Sequence, residues 1–402
     1  MQKGKMVPEI RFKGFEEEWK TAILGDFFTQ YKNTIYLNDN EYYNQISISN
    51  KGIVTHRDTK KGIEIGRKRQ YLIDTINNPN TLVFTRQTIY EGGIGFVPHL
   101  LNGYIVTENM PLFNLKNMSL NFAKTFLRTK SYFNSVIDSN PLIGSAQKAL
   151  HEDLWLKSSV YISDDLSEQQ KIGQFFSNLD SLIQSQELKL KKLNEIKQSL
   201  LNKMFASENQ KFPEIRFKGF TEEWKKFLLG EVSEYKNGKA HESYVESKGK
   251  YVLVNSKFIS SNGIPEKYTN TNLSPLYLND IAMVLSDVPR GKALAKVFFV
   301  DRDNKYALNQ RICALTTKKT FPKFLSLVIN RNNQLLDLDD GVNQTNITRK
   351  QVLNIKMLIP SYNEQQKIGE FFSNLDSLIR SQELKLEKLN NIKQALLEKM
   401  FC

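Results

Sequence analysis

The residue types that most often carry catalysis are sparse in this chain of 402 residues. A metal site needs histidines, cysteines or carboxylates at short, regular spacing. The two cysteines, Cys313 and Cys402, are too few for a zinc site or a disulfide framework. The four histidines are scattered along the chain, at His56, His99, His151 and His241. The sequence therefore predicts no metal site.

Glycine-rich loops that hold nucleotide phosphates are also missing. Neither a GxxxxGK[ST] loop nor a GxGxxG turn occurs, and the nearest approach is Gly92-Gly93-Ile94-Gly95. A glycine cluster between two strand-like segments is typical of a turn. We therefore predict no cofactor and no catalytic residue in this chain.

Basic and amide side chains form several short clusters that could contact nucleic acid. The chain has 56 Lys and Arg against 43 Asp and Glu, a net charge of +13, which favours a polyanionic partner. Arginine commonly pairs with guanine and Gln or Asn with adenine, while lysine mostly contacts phosphate. The alternative for any one of these residues is a solvated charged surface. The candidates for DNA contact in the first half of the chain are Lys60, Lys61, Arg67, Lys68, Arg69, Arg86, Gln87, Thr88, Gln147 and Lys148. Those in the second half are Arg290, Lys292, Asn309, Gln310, Arg311, Gln344 and Thr345.

Two segments of the chain occur twice. Residues 8–20 and 213–225 both begin PEIRFKGF and differ only at Glu16 and Thr221. Residues 168–205 and 364–401 both begin EQQKIG and differ at six positions. The segments between these flanks align only in fragments. We infer that the flanks perform one common task twice, while the two middle segments perform two different tasks of one kind.

The positive charge is concentrated in the second middle segment. Residues 1–166 carry 20 basic and 17 acidic side chains, whereas residues 207–362 carry 24 and 16. The excess of basic side chains thus lies mainly outside the repeated helical segments.

The EQQKIG repeat has the pattern of a long amphipathic helix. Apolar residues recur at heptad spacing, and neither copy contains Gly or Pro after Gly173 or Gly369. Ser167 with Gln170 predicts a capping box at the start of the first copy. The residues predicted to line the pairing face are Leu179, Leu182, Gln186, Leu193, Leu200, Leu375, Leu378, Gln382, Leu389 and Leu396. Four phenylalanines off this face are predicted to dock another subunit, namely Phe175, Phe176, Phe371 and Phe372. Leu188 and Leu384 are predicted to lie off the pairing face with them.

The two helices should pair with each other in antiparallel directions. The first helix ends near Phe205 and the second begins just after Pro360, and the two ends of the domain between them should lie close together. The same argument places Cys402 near the N-terminus. Full overlap would set Gln186 beside Gln382, and a polar pair at one layer can fix the register of the helices.

Both middle segments combine strand patterns with an amphipathic helical pattern. The expected strands are 81–86, 94–98, 103–107, 251–259, 281–286 and 294–300. The expected helices are 121–137 and 321–336. No apolar run approaches the roughly 20 residues of a membrane span, and none follows the N-terminal Met1-Gln2-Lys3-Gly4-Lys5 as in a signal peptide. We therefore expect a soluble, cytoplasmic α+β protein.

The order of these segments resembles the DNA specificity (S) subunit of type I restriction-modification systems. In two successive copies, the motif PEIRF is followed by a tryptophan, by LGD in the first copy and LGE in the second, by a variable domain and by an EQQKIG-type helix. Glu231 in place of Asp is a mild departure from the family's pattern. In the first copy the matching residues are Pro8, Arg11, Phe12, Trp19, Leu24, Gly25 and Asp26, with Glu168 to Ile172 in the helix. In the second they are Pro213, Arg216, Phe217, Trp224, Leu229, Gly230 and Glu231, with Glu364 to Ile368. The loops with Gln147-Lys148 and Gln344-Thr345 also match the usual end of a recognition domain.

The resemblance implies an α+β architecture in which a pair of long antiparallel coiled-coil helices separates two α/β target recognition domains. The expected molecule is pseudo-twofold and near-circular. The implied boundaries are 1–166 for recognition domain 1, 167–206 for conserved helix 1, 207–362 for recognition domain 2 and 363–402 for conserved helix 2.

The resemblance also implies a non-catalytic subunit. Each recognition domain would read one half of a bipartite site on double-stranded DNA, and the helices would space the domains and dock two modification (methyltransferase) subunits. Restriction (motor-nuclease) subunits would join that core, and the partners would bind the methyl donor and ATP.

Two other interpretations remain open. An unrecognised DNA-modifying enzyme would need a set of catalytic residues, which the patterns lack. A stand-alone DNA-binding scaffold built on the helices would not need two large, dissimilar, basic domains.

Overall fold

The computed structural model describes residues 7–139, 149–206, 210–265 and 267–402. The chain folds into two units. The first is formed by Met1–Glu187 with Leu384–Cys402, and the second by Leu188–Glu383.

The first unit combines short strands with a few helices. Its strands are β1 (Lys20–Ile23), β2 (Phe28–Tyr31), β3 (Thr34–Tyr36), β4 (Tyr42–Ile48), β5 (Val54–Lys61), β6 (Arg69–Leu72), β7 (Thr81–Phe84), β8 (Ile94–Phe96), β9 (Ile105–Val106), β10 (Leu112–Leu115) and β11 (Ser159–Ile162). Its helices are α1 (Leu120–Phe126), α2 (Lys130–Tyr132), which continues as a π-helix over Phe133–Asp138, and α3 (Glu152–Lys157). The long helix α4 (Leu166–Lys203) begins in this unit.

The strands of the first unit form two main sheets, with orders β2-β10-β7-β8 and β3-β6-β9-β4-β5. The central strand β7, Thr-Leu-Val-Phe, is buried at every position because both of its faces are covered. Phe84, Phe113 and Trp155 pack together in the main core, with ring centroids 4.9 to 5.5 Å apart.

The second unit is built from the same kinds of element. Its strands are β12 (Lys225–Leu228), β13 (Ser233–Asn237), β14 (Tyr251–Val254), β15 (Tyr268–Thr269), β16 (Ile281–Val284), β17 (Ser286–Asp287), β18 (Val297–Phe299), β19 (Tyr306–Leu308), β20 (Ile312–Thr317), β21 (Thr345–Asn346) and β22 (Lys356–Ile359). Its helices are α5 (Leu229–Val232), α6 (Ser256–Ser260), α7 (Pro322–Ile329), α8 (Asn333–Leu336), α9 (Arg349–Leu353) and α10 (Tyr362–Lys399), whose last part belongs to the first unit.

The two units share one sheet architecture although their middle segments do not align in sequence. The order β13-β20-β16-β18 in the second unit repeats β2-β10-β7-β8 in the first, and the two-stranded pairs β12-β22 and β1-β11 also correspond. The other sheets differ, since the second unit has β15-β14-β19 and β17-β21 where the first has the larger sheet around β9. The prediction of two related α+β domains is confirmed.

Several predicted elements exist but with different bounds. The predicted strand 251–259 ends at Val254, because Asn255 caps the short helix α6 by accepting a hydrogen bond from Phe258 N at 2.8 Å. The predicted helix 121–137 is interrupted after Phe126, where the Thr129 side chain caps α2. The predicted helix 321–336 is interrupted at Arg331, whose φ of +52° is left-handed. Amphipathic periodicity indicated the helical content but not these local breaks.

The repeated N-terminal segment anchors the start of each long helix. In the first unit Arg11 donates to Glu168 at 2.5 and 2.9 Å, and Trp19 Nε1 donates to the same carboxylate at 3.1 Å. In the second unit Arg216 donates to Glu364 at 2.7 and 2.8 Å. Both glutamates are buried, so each ion pair replaces the hydration of a carboxylate that would otherwise be isolated. The PEIRF and EQQKIG motifs are therefore two halves of one structural contact.

The long helices run antiparallel within each unit. In the first unit Phe176 of α4 packs near Phe401, while Asp180, one turn further along α4, pairs with the earlier residue Lys393 of α10. In the second unit Phe372 packs near Phe205, while Asp376 pairs with Lys197. Rising numbers on one helix thus meet falling numbers on the other, as predicted.

The end of α10 lies beside the repeated N-terminal segment within the first unit. Ile10 N donates to Lys399 O at 3.0 Å, and Ser131 Oγ donates to the carbonyl oxygen of Cys402. This confirms that Cys402 lies near the N-terminal segment.

The cap of α4 differs from the prediction. The helix begins at Leu166, and the side chain of Asp165 accepts hydrogen bonds from Ser167 N at 2.7 Å and Glu168 N at 3.3 Å. Asp165 therefore serves as the N-cap in place of Ser167.

Candidate nucleic-acid interface

The basic cluster of the first unit lies at the end of β5, at the start of β6 and in the turn that joins these two strands. Lys60 and Lys61 end β5, and Arg69 begins β6. Lys68 fastens the turn between them, since its Nζ donates to Gly62 O at 2.7 Å and pairs with the Asp39 carboxylate. The structure thus brings these sequence-predicted residues together.

Carboxylates accompany most of these basic side chains. Lys60 Nζ lies 3.5 Å from Asp58, while Arg67 and Arg69 lie 3.6 and 3.2 Å from the two oxygens of Glu108. These side chains are largely exposed, so each ion pair contributes little to stability and can open when a phosphate competes for the cation.

Two exposed tyrosines lie directly opposite basic residues of this cluster and were not found from the sequence. Tyr42 is directly opposite Lys61 in the β4–β5 pair, and Tyr36 is opposite Arg69 in the β3–β6 pair. Lys61 Nζ lies 5.5 Å from the Tyr42 ring centre. Aromatic rings beside basic side chains are common on nucleic-acid-binding surfaces. The sequence signal that could have identified them is a tyrosine within a strand pattern close to a basic cluster.

Arg86 has a structural role instead. Its Nε and Nη2 donate to Glu152 at 2.9 and 2.7 Å, and both side chains are largely buried. Burial alone would raise the pKa of Glu152, but hydrogen bonds from its own backbone amide and from Arg86 hold it below its ordinary value. Leu150 N also donates to Arg86 O at 2.9 Å. A guanidinium held in this way is occupied inside the domain.

The neighbours of Arg86 are half-buried. Thr88 begins a short 3-10 helix, Thr88–Glu91, and Gln87 directly precedes it. Gln147 and Lys148 lie outside the described residues.

Three predicted segments of the second unit meet at one edge. Pairing of β17 with β21 brings residues 286–287 beside 345–346, and Gln344 Nε2 donates to Ser286 Oγ at 2.6 Å. Leu285 N donates to Arg311 O at 2.9 Å, which brings the loop 309–311 to the same place. The three segments that carry these candidates are therefore neighbours.

The loop 287–294, which carries Arg290 and Lys292, is held by its own side chains and by neighbours. The Asp287 carboxylate accepts hydrogen bonds from the backbone amides of Val288, Ala293 and Leu294 at 2.7 to 3.1 Å. Arg290 N donates to Asp339 Oδ2 at 2.9 Å. The loop is thus fixed at both ends and at its tip.

Asp287 and Asp339 were missed as positioning residues. Each precedes a glycine by a few residues, and aspartates that bond nearby backbone amides are typical of such turns. Asp339 Oδ1 also accepts from Gly341 N at 2.9 Å. This pattern was the signal that could have identified them.

The other predicted residues of this edge make internal contacts. Asn309 Oδ1 accepts from His241 N at 3.2 Å, and Gln310 Nε2 donates to Glu242. Thr345 is buried, and its Oγ1 donates to Asp339 at 3.3 Å. The backbone carbonyl of Lys292 accepts from Arg331 Nη1 at 2.7 Å, whereas its side chain is exposed.

The long helices place the predicted pairing residues unevenly. Leu179, Leu200, Leu375 and Leu396 pack against the cores of their units, and Leu193 and Leu389 are half-buried. Leu182 and Leu378 are exposed, while their neighbours Ile183 and Ile379 are buried. Gln382 is buried and Gln186 is half-buried.

The predicted docking phenylalanines lie mostly inside the protein. Phe176 and Phe372 are 1% and 0% exposed in the cores of their own units, so a partner could not reach them. Phe175 and Phe371 make edge-to-face contacts with Phe12 and Phe217 of the repeated N-terminal segments. Both copies instead expose three other apolar residues, namely Leu182, Leu188 and Ile196 on α4 and their equivalents Leu378, Leu384 and Ile392 on α10.

The described residues contain no helix that is both long and apolar enough to cross a bilayer. In the same part of the chain, no three His, Cys, Asp or Glu side chains are grouped as metal ligands.

Comparison with known proteins matches one segment of the chain to a family. Residues 221–391 match the type I restriction modification DNA specificity domain. This match covers the second middle segment and most of α10. This segment of the chain is thus similar to the DNA specificity domain of type I restriction-modification systems. The structural equivalence of the two units extends the same sheet architecture to the first half of the chain.

One curated relative in this family is the specificity subunit of the type I restriction enzyme MjaVIII from Methanocaldococcus jannaschii. It is 24% identical to this chain over 249 residues, which are 58% of this chain and 59% of that protein. The match therefore spans about three fifths of the relative's length.

Two solved structures share the fold. The S subunit of a type I restriction-modification system from M. genitalium has a TM-score of 0.62 and 14% identity, over 99% of both chains. A chain from a structure of type I restriction-modification complex assembly and conformational transition has a TM-score of 0.58 and 16% identity, over 95% of this chain and 97% of that chain. At these identities the likeness establishes the fold.

Proposed function

We propose that this chain is the DNA sequence-specificity subunit of a type I restriction-modification complex. Residues 1–166 and 207–362 act as its two target recognition domains, and residues 167–206 and 363–402 act as its conserved helices. The chain itself is non-catalytic, and methylation and cleavage are carried out by partner subunits.

The observation that carries this proposal is one sheet architecture that presents two different surfaces. The first unit displays Tyr36, Tyr42, Lys61 and Arg69 on its five-stranded sheet, whereas the second displays Arg290 and Arg311 on loops. Two domains of one fold with different exposed chemistry suit the reading of two different half-sites. A bipartite recognition sequence on double-stranded DNA follows.

The helices supply the sites for modification subunits. The three exposed apolar residues recur at equivalent positions of α4 and α10, while their charged surroundings differ at only a few places. Each unit carries one such set, formed by Leu182, Leu384 and Ile392 in the first and by Leu378, Leu188 and Ile196 in the second. Equivalent apolar patches fit two copies of the same partner. Restriction subunits join this core in turn.

Methylome sequencing of cells that express this chain with its modification subunit tests the proposal. We expect one bipartite motif with two unlike half-sites. Replacing residues 26–150 with the corresponding segment of another family member should change one half-site and leave the other intact. The matched control replaces residues 231–347 and should change only the other half. A continuous or palindromic motif, or a change in both halves after either exchange, would contradict the proposal.

A further inference from the structure

Three arginines of the second unit adopt the left-handed backbone conformation. Their φ angles are +56° at Arg290, +65° at Arg311 and +52° at Arg331. This region favours glycine, and a residue with a side chain is strained there by roughly 1 kcal/mol or more. An arginine at such a position is kept at a cost that glycine would avoid.

Only one of the three arginines has a side-chain role inside the protein. Arg331 Nη1 donates to Lys292 O at 2.7 Å, and Arg331 N donates to Ala295 O at 2.8 Å, which supports the loop 287–294 from behind. Across the described residues, the guanidinium groups of Arg290 and Arg311 have no carboxylate or carbonyl partner, and both residues are exposed. Neither guanidinium is therefore occupied by an internal ion pair or hydrogen bond.

The backbone beneath both arginines is fixed in place. Arg290 is held through Asp287 and Asp339, and the Arg290 guanidinium lies against Gly341, where a Cβ would approach its Nε to 3.2 Å. Arg311 accepts the hydrogen bond from Leu285 N, just before the β17–β21 pair. A guanidinium on a rigid loop loses little freedom when it forms two parallel hydrogen bonds.

We propose that Arg290 and Arg311 are the guanine-reading residues of the second recognition domain. This inference rests on the proposed function. The guanidinium fork matches O6 and N7 of guanine in the major groove, whereas lysine acts mainly as a point charge. Each arginine should therefore distinguish one G·C pair of the second half-site from the other base pairs.

The test is the methylome of cells expressing the complete complex with Arg290→Lys, Arg311→Lys or Lys292→Ala in this chain. Arg290→Lys and Arg311→Lys keep the charge but lose the fork. We expect each to relax one G·C position of the second half-site, with discrimination falling roughly 5- to 100-fold, and to leave the first half-site unchanged. Lys292→Ala, the control on the same loop, should lower methylation at all sites alike without changing the motif.

Three outcomes would overturn the inference. A second half-site without G·C pairs would do so, as would arginine variants that keep the full motif. Uniform loss of methylation in the arginine variants, at an unchanged melting temperature, would mean that these residues contact phosphate. Absence of any bipartite motif in the wild-type complex would instead refute the proposed function itself, so the two failures are distinguishable.

Discussion

Asp376 on α10 and Lys197 on α4 form an ion pair of 2.6 Å. The equivalent residues of the other repeat, Asp180 on α4 and Lys393 on α10, form the same pair at 2.5 Å with the helices exchanged. The two pairs are not equal. Lys323 of α7 adds a second cation to Asp376 at 2.9 Å, and the side chain of Asp376 is 30% exposed against 56% for Asp180. One sequence motif thus has two electrostatic environments.

Replacing these aspartates should have different effects on stability. We expect Asp376→Asn to lower the free energy of unfolding by about 2 kcal/mol, because two partly buried lysines lose their counter-charge. Asp180→Asn is the matched control and should cost less than about 1 kcal/mol, as exposed pairs do. Urea unfolding measures both, and equal losses would show that Lys323 adds nothing.

The same pair predicts a dependence on pH. Burial alone would raise the pKa of Asp376, but the charges and hydrogen bonds of Lys323 and Lys197 outweigh it, so the pKa lies below the ordinary value of 3.8. Because the pKa of Asp376 is lower in the folded protein than in the unfolded chain, its carboxylate stabilises the fold at any pH above the unfolded pKa. This contribution disappears as the pH falls through the folded pKa. The stability difference between wild type and Asp376→Asn should therefore be full at pH 7 and shrink below about pH 4. A difference that is constant down to pH 2 would contradict this assignment.

Arg216 should be essential for the second unit. Without Arg216, the carboxylate of Glu364 would lose its main ion-pair partner while remaining buried, since its side chain is 1% exposed. We expect Arg216→Ala to cost about 3–5 kcal/mol. Lys218→Ala, an exposed residue of the same repeated segment, is the control and should cost less than about 0.5 kcal/mol. Comparable unfolding midpoints for the two variants would show that the ion pair does not anchor the helix.

Gly173 permits a close approach that the sequence alone does not reveal. A Cβ there would lie 2.4 Å from Phe122 N, a backbone atom that cannot swing away. Gly→Ala in a helix normally stabilises by about 1 kcal/mol, but here we expect a loss of about 1–3 kcal/mol.

Gly66→Ala serves as the control for this effect. A Cβ at Gly66 would meet nothing within 4 Å, so thermal unfolding should be unchanged or slightly improved. Stabilisation by Gly173→Ala would disprove the predicted clash.

The exposed leucines of the long helices should matter for assembly and not for folding. Leu188 and Leu384 are 52% and 55% exposed. We expect Leu188→Ser with Leu384→Ser to weaken binding of modification subunits at least about tenfold, without lowering the melting temperature. Leu100→Ser, at another exposed leucine, is the control for added polarity. Assembly at wild-type affinity in a titration with purified modification subunit would exclude this face.

The sequence predicted the tandem plan, the antiparallel direction of the helices and the α+β character of the units, because these depend on repeats, heptad spacing and alternating apolar residues. It misplaced Phe176 and Phe372, since a periodic pattern shows which side chains share a helix face but not what covers that face. The sequence also predicted that Arg86 contacts DNA. The local sequence around a basic residue after a strand does not reveal whether a glutamate 66 positions later forms an ion pair with it.

The sequence by itself determined that two near-identical sets of flanking segments enclose two different middle segments with excess positive charge, since the repeats are visible without coordinates. Only the tertiary structure decided which charged residues are available. Contacts such as Arg11 with Glu168 and Arg86 with Glu152 join residues far apart in the chain, and they remove those cations from the surface. Arg290 stays exposed on a loop that Asp287 and Asp339 fix, and a long-range hydrogen bond such as that from Arg290 N to Asp339 leaves no local pattern in the sequence.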